Sequence, residues 1–269
     1  MGRKKEWGII DPVSDSFTEI NGLDYFFTSN GSSFQLDKNK KFLDFLFSDS
    51  GNSLILTTRE TKDGIIVNQL MIYSLSDGSY QSIDQNSLSA CSEQGLDGLT
   101  SWSSDGMYLL GYCWANFDEA TTAILFDLSS NTSVDMRDIV QTTAATKAAL
   151  SHDGNKIAIE NDNMLFLYQN NGLQQMDLIN TYEVNYPQII QWSKDDTSIF
   201  YDNHGESISL QEFNFATGSD VKIIGESEIS TKIDPNHQNS RPFDWDISPN
   251  NRMIVLSEIP AFWIYHLPE

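Results

Sequence analysis

Cysteine is nearly missing from this chain. There are two in 269 residues, Cys91 and Cys113. They form no CxxC pair and have no histidine at metal spacing, so no cysteine-based metal site is indicated. They are read either as one disulfide or as two partly buried thiols. Basic residues are also scarce, with 16 Lys and Arg against 38 Asp and Glu, a net charge of -22. Phosphate binding needs clustered Lys and Arg, so nucleic acid and anionic membranes are excluded as partners. The acidic surface is read as a solvating one, the alternative being a face for a basic partner. No apolar run approaches the roughly 18 residues of a membrane helix. The basic start, Met1-Gly2-Arg3-Lys4-Lys5, runs into Glu6-Trp7 rather than an apolar signal core. The expectation is a soluble protein, cytoplasmic by default and extracytoplasmic if a leader was removed. The Gly-x-Ser-x-Gly elbow, the Walker loop, GxGxxG and HExxH are all absent.

Helical periodicity is also scarce. The longest helical candidate, Thr142 to Leu150, is short and rich in Ala and Thr. Short β-branched and aromatic runs between Ser, Asn, Asp and Gly dominate, which is the all-β pattern. With 39% hydrophobic and 12% aromatic residues the chain has enough for a real core.

One short pattern recurs. It is Phe47-Ser48-Asp49-Ser50-Gly51, Trp102-Ser103-Ser104-Asp105-Gly106, Leu150-Ser151-His152-Asp153-Gly154, Trp192-Ser193-Lys194-Asp195-Asp196 and Ile247-Ser248-Pro249-Asn250-Asn251. Each has a large apolar residue, a Ser and a polar turn, and each is followed by an apolar strand. The Ser residues lie 55, 48, 42 and 55 apart, close to the roughly 40–50 residues of a four-stranded propeller blade. Asp and Asn bond nearby backbone N–H groups, and Gly or Asn accepts positive φ, so such a turn closes a hairpin cheaply. The Ser hydroxyl can cap the same turn. A second hairpin follows in the first four units, turning at Ser76-Asp77-Gly78, Ser129-Ser130-Asn131, Asn170-Asn171-Gly172 and Ala216-Thr217-Gly218.

The fold expected is an all-β propeller of four-stranded antiparallel blades, six in number: five clear repeats and one degenerate. It is one domain over 1–269, with repeats starting near 43, 98, 146, 188 and 243. Residues 21–42 are expected to form the degenerate blade. Residues 1–20 are expected to supply strands that complete the last blade and close the ring; the alternative is a piece of a longer propeller. The pattern apolar-Ser-x-Asp-Gly, with a later strand such as Phe126-Asp127-Leu128-Ser129-Ser130-Asn131, resembles the repeats of TolB-like (PD40) propellers. It is also similar to the propeller domains of prolyl-oligopeptidase-type peptidases. WD40 repeats fit less well: there is no Gly-His pair, and Trp245-Asp246 falls in the first strand rather than at a blade end. The resemblance implies a fold and leaves function open, since propellers host enzymes, sensors and docking platforms.

Candidate site residues follow from placing the repeat on a ring. Asp244 and Asp246 alternate on one strand face, and Asp44 is the residue four before its Ser, as Asp244 is. Together they could hold Ca²⁺, which takes several oxygen ligands; the plainer reading is a hydrated channel wall, with no metal and no cofactor. The residues one before each Ser, namely Phe47, Trp102, Leu150, Trp192 and Ile247, are expected to pack between blades. His152 is expected to be a solvent-exposed turn residue. Trp114 and Phe117, in Tyr112-Cys113-Trp114-Ala115-Asn116-Phe117, are candidate partner anchors. The loops 84–98 and 224–242 are further places to look for one.

No catalytic residues are assigned. The function expected is a non-catalytic scaffold for a protein, peptide or ligand. The alternatives are a metal-dependent hydrolase or lactonase using the channel carboxylates, and the propeller accessory domain of a peptidase.

Overall fold

The computed structural model describes side chains over residues 44–48, 52–61, 69–74, 79–83, 98–113, 122–142, 146–161, 163–173, 175–184, 191–203 and 209–225; elsewhere it describes only the backbone of the strands. The chain begins with two hairpins. They are β1 (Trp7–Asp11) with β2 (Ser16–Ile20), and β3 (Tyr25–Phe27) with β4 (Ser33–Gln35). Four blades of four antiparallel strands follow. The first blade is β5 (Lys41–Phe47), β6 (Ser53–Lys62), β7 (Ile65–Ser74) and β8 (Tyr80–Asp84). The second is β9 (Leu96–Trp102), β10 (Tyr108–Cys113), β11 (Thr122–Asp127) and β12 (Thr132–Asp135), followed by the helix α1 (Met136–Val140). The third is β13 (Lys147–Leu150), β14 (Lys156–Asn161), β15 (Met164–Asn170) and β16 (Met176–Glu183). The fourth is β17 (Pro187–Trp192), β18 (Ser198–Asn203), β19 (Ser209–Asn214) and β20 (Ser219–Gly225). The last sheet has three strands, β21 (Asp244–Ile247), β22 (Met253–Glu258) and β23 (Ala261–His266). It and β1–β2 form separate sheets.

The recurrent turn explains why each blade starts as it does. The Ser hydroxyl accepts the N–H five residues on: Ser53 to Ser48 at 3.0 Å, Tyr108 to Ser103 at 2.8 Å, Lys156 to Ser151 at 2.8 Å and Ser198 to Ser193 at 2.9 Å. It donates to the Asp two residues on, Asp105 at 2.6 Å and Asp153 and Asp195 at 2.7 Å. The fourth turn residue is left-handed: Gly106 has φ 75, Gly154 φ 73 and Asp196 φ 54. Ser and Asp are thus hairpin-closing groups. The later hairpins close by a similar device. Asp127 accepts the N–H groups of Ser129 and Ser130, and Asn214 those of Ala216 and Thr217.

The first strands of successive blades lie side by side, β5 against β9, β9 against β13 and β13 against β17. Side chains fill the space between blades. Ile55, Leu70 and Ile83 of the first blade meet Trp102, Leu109, Ile124 and Phe126 of the second. Leu110, Leu125 and Met136 meet Leu150, Ile157 and Ile159. Leu165, Leu167 and Val184 meet Trp192, Ile199, Tyr201 and Phe213. Neighbours in sequence point to opposite faces, yet Leu54, Ile55 and Leu56 are all fully buried. Both faces of the first blade are therefore covered, and its β6 reads as a continuous apolar run rather than an alternating one.

The described helix, α1, lies before the helical candidate 142–150, and Lys147–Leu150 is β13, the inner strand of the third blade, in the repeat expected from near 146. Asp135 starts that helix by accepting the Arg137 N–H, and Gln141 ends it at φ 55. Ala-rich propensity in 147–150 gives way to pairing with Ile157 to Glu160. Phe47 is not a buried wedge. Trp102 and Trp192 are 8% and 1% exposed, whereas Phe47 is 47% exposed and turns its ring edge-on to Phe45. The sheet before it in the chain has two strands of three residues, where the tryptophans follow four-stranded blades.

Candidate functional site

The inner strands and the turns above them hold most of the polar residues singled out in the sequence. Asp44 sits on β5 beside a bulge, where Phe42 pairs with Thr58 and Asp44 with Thr57. Its carboxylate accepts the Phe45 N–H at 2.8 Å and, across the blade boundary, the Leu99 N–H of β9 at 2.7 Å. Burial pushes its pKa up, and the two backbone N–H groups pull it partly back. Asp44 is therefore a brace between two blades. Leu99 lies four before Ser103, the position that Asp44 itself occupies in its own repeat, so the bond joins equivalent levels of adjacent strands.

The alternation used to align the inner strands breaks in the second and fourth blades. Thr100 and Ile190 are each extra residues at a bulge, between paired Leu99 and Ser101 and between paired Ile189 and Gln191. A bulge interrupts the two-residue period. The side chains of Asp244, Asp246, Trp114 and Phe117, and most of the loops 84–98 and 224–242, lie outside the described residues.

His152 differs from expectation. It is not a bare turn residue, because its side chain is 31% exposed and its ring Nδ1 lies 2.9 Å from Asp196 Oδ1 of the next blade. Asp196 also accepts the N–H groups of His152 at 2.8 Å and Asp153 at 3.1 Å. Lys156 donates to the Asp196 carbonyl at 2.9 Å, with its ammonium 5.8 Å from the centre of the Trp192 ring. Other side chains brace the blades too. Trp192 donates its indole N–H to the Ala149 carbonyl at 2.8 Å. Tyr112 donates to the Ala148 carbonyl at 3.3 Å and accepts its N–H at 3.2 Å; burial pushes this phenol up to about 12.

A second polar cluster lies on the fourth blade. Tyr201 donates to Asp220 and meets the Gln211 side-chain amide at 3.0 Å. Burial raises both the Tyr201 and the Asp220 pKa, and the bond between them raises Tyr201 further while lowering Asp220. Cys113 is disulfide-bonded, and Cys91 is the one other cysteine in the sequence. That settles the two readings in favour of the bond. Among the described residues no group of three or more His, Cys, Asp or Glu is placed to hold a metal ion, and no helix is long and apolar enough to cross a membrane.

This succession of four-stranded blades with neighbouring inner strands is found in solved structures. TolB from Acinetobacter baumannii superposes with a TM-score of 0.51 at 15% identity, over 93% of this chain and 56% of that one. The chain is a β-propeller. The β-propeller domain of the Trilobed protease from Pyrococcus furiosus gives a TM-score of 0.51 at 13% identity, over 86% of this chain and 70% of that one. Oligogalacturonate lyase in complex with manganese gives 0.61 at 11% identity, over 98% and 83%. At these identities the likeness shows the fold alone. No family model and no curated protein matches the sequence.

Proposed function

We propose that the chain is a non-catalytic propeller scaffold that binds another protein or a peptide on one rim. One observation carries this reading. The polar groups that look like chemistry in the sequence are engaged as braces: Ser103 with Asp105, Asp44 with Leu99, and His152 with Asp196. A rigid ring that presents loops suits docking. Propellers of similar fold, with TM-scores of 0.51, occur in the mitotic checkpoint complex and in the complex of KlAtg21 with the coiled-coil of AgAtg16.

The test is affinity purification of the full chain beside the double variant Trp114→Ala/Phe117→Ala. A stoichiometric partner recovered with the wild type and lost from the variant is expected. Stoichiometric metal in a partner-free wild type, with an activity lost in Asp246→Asn, would overturn it in favour of a metal-dependent enzyme. Asp44, Asp244 and Asp246 are the residues that would then hold the ion, Ca²⁺ being the cation suited to carboxylate oxygens. Likeness to the Trilobed protease propeller favours a further reading, the propeller part of a peptidase, for which the recovered partner would be a peptidase.

A further inference from the structure

We propose that the outer edge of the third blade, β16, is a docking site for an extended, cationic and apolar segment of a partner protein, added as a fifth strand. This deepens the scaffold reading and rests on it. β16 is the last strand of its sheet, and at eight residues it is the longest of the four outer strands. Four residues in a row, Asp177 to Asn180, are exposed. Leu178 is 53% and Ile179 49% exposed. Two adjacent side chains stand out together because Ile179 is the extra residue of a bulge, between Leu178 paired with Tyr168 and Asn180 paired with Leu167. The corresponding edge of the second blade runs straight into α1, whose Met136 is fully buried. The fourth blade's β20 exposes a single large apolar side chain, Val221.

Charge decides the occupant. Asp177 and Glu183 flank the apolar pair, and both are exposed. If two copies paired their β16 edges antiparallel about Asn180, Asp177 of each would stand opposite Glu183 of the other. Like charges directly opposite one another destabilise a strand pair, and each copy carries a net charge of -22. The bulge and the terminal carboxylates are devices that keep an edge from pairing with itself. The two carboxylates in turn favour a guest strand with Lys or Arg at its two ends and β-branched residues between them. At one point the edge is closed locally, where the Thr181 N–H donates to the Asn180 side chain at 2.8 Å. The Asp177 carboxylate accepts the Asn171 side-chain amide at 2.9 Å and stays exposed.

The probes are two fluorescein-labelled ten-residue peptides of alternating Val and Thr, one with Lys at both ends and one with Glu. They are titrated against the full chain by fluorescence anisotropy, with hydrogen exchange read along the chain. The Lys-ended peptide is expected to bind, to weaken with salt, and to slow exchange in 176–183. Asp177→Lys/Glu183→Lys, a change at two exposed positions, is expected to weaken it about tenfold and to make the Glu-ended peptide the better ligand. Binding with protection elsewhere, on the loops 84–98 or 224–242, sinks the β16 site and leaves the scaffold reading standing. Equal affinity for both peptides, failure of the Lys-ended peptide to bind, or self-association through 176–183 overturns the proposal.

Discussion

Two junctions between blades carry the same turn and are built differently. Between the second and third blades the turns touch backbone to backbone, with the Ser104 N–H donating to the His152 carbonyl at 2.7 Å. Gly154 allows this closeness, because a Cβ there would meet the Ser103 Cβ at 2.9 Å. Between the third and fourth blades the equivalent residue is Asp196, and its carboxylate spans the gap to three donors on His152 and Asp153. The wedges differ as well. Trp192 bonds Ala149 through its indole N–H, whereas the Trp102 indole nitrogen has no partner among the described residues and lies 4.0 Å from where a Cβ on Gly106 would be. One turn sequence therefore supports a close-packed junction where glycine fills the fourth position, and a side-chain clamp where aspartate does.

The largest test of that contrast is truncation of the wedges. Trp192→Ala and Trp102→Ala are each expected to lose about 3–5 kcal/mol in urea unfolding, as large core deletions do. A variant that melts like the wild type would remove the wedge from the account of its junction. Next is the disulfide, which ties the second blade to the segment before it. Cys91→Ser is expected to cost about 3 kcal/mol, the value for closing a loop of this order. Equal stability of the reduced and oxidised proteins would refute it.

Smaller effects separate the two junctions more sharply. Gly154→Ala must accept both positive φ and the Ser103 contact, whereas Gly106→Ala must accept positive φ alone. Gly106→Ala is expected to cost about 1–2 kcal/mol and Gly154→Ala more; the reverse order in chemical denaturation would break the close-packing account. Trp192→Phe removes the indole N–H bond to the Ala149 carbonyl, and is expected to cost about 1 kcal/mol more than Trp102→Phe. The smallest effect is one of pH. Burial raises Asp220 above its ordinary value, so its contribution favours the fold below the unfolded pKa and is lost as pH rises through the folded one. Asp220→Asn should flatten the pH dependence of the melting temperature just above the unfolded pKa of about 4; an unchanged slope there counts against it.

The repeat was legible because hairpin closure is local. Ser103, Asp105 and Gly106 answer to one another within a few residues, so their types appear in order along the chain. Trp102 and Trp192 were legible as wedges for the same reason, since their position in the repeat is fixed by the turn. Phe47 has that position and is exposed, because what covers a wedge is the preceding sheet and not the repeat that contains it. Asp44 was legible as one of three candidate carboxylates, and not as the acceptor of the N–H of Leu99, 55 residues away. His152 looked like a bare turn residue, and Asp196, 44 residues away, takes its ring. Nothing local announces either partner. The bulges at Thr100 and Ile190, and that at Ile179 on the β16 edge, were hidden as well, since an extra residue shows only once two strands are paired.

The sequence by itself determined that this chain makes β-hairpins at a blade-like period, with Ser, Asp and Gly closing the turns and large apolar residues beside them. Hydrogen bonds spanning two to five residues suffice for that, and their chemistry is written in neighbouring letters. Tertiary structure alone decided which polar groups became braces, which wedge stayed uncovered and which strand edge stayed open. Those outcomes depend on what the next blade brings within about 3 Å, and adjacent blades meet through residues 36 to 55 positions apart.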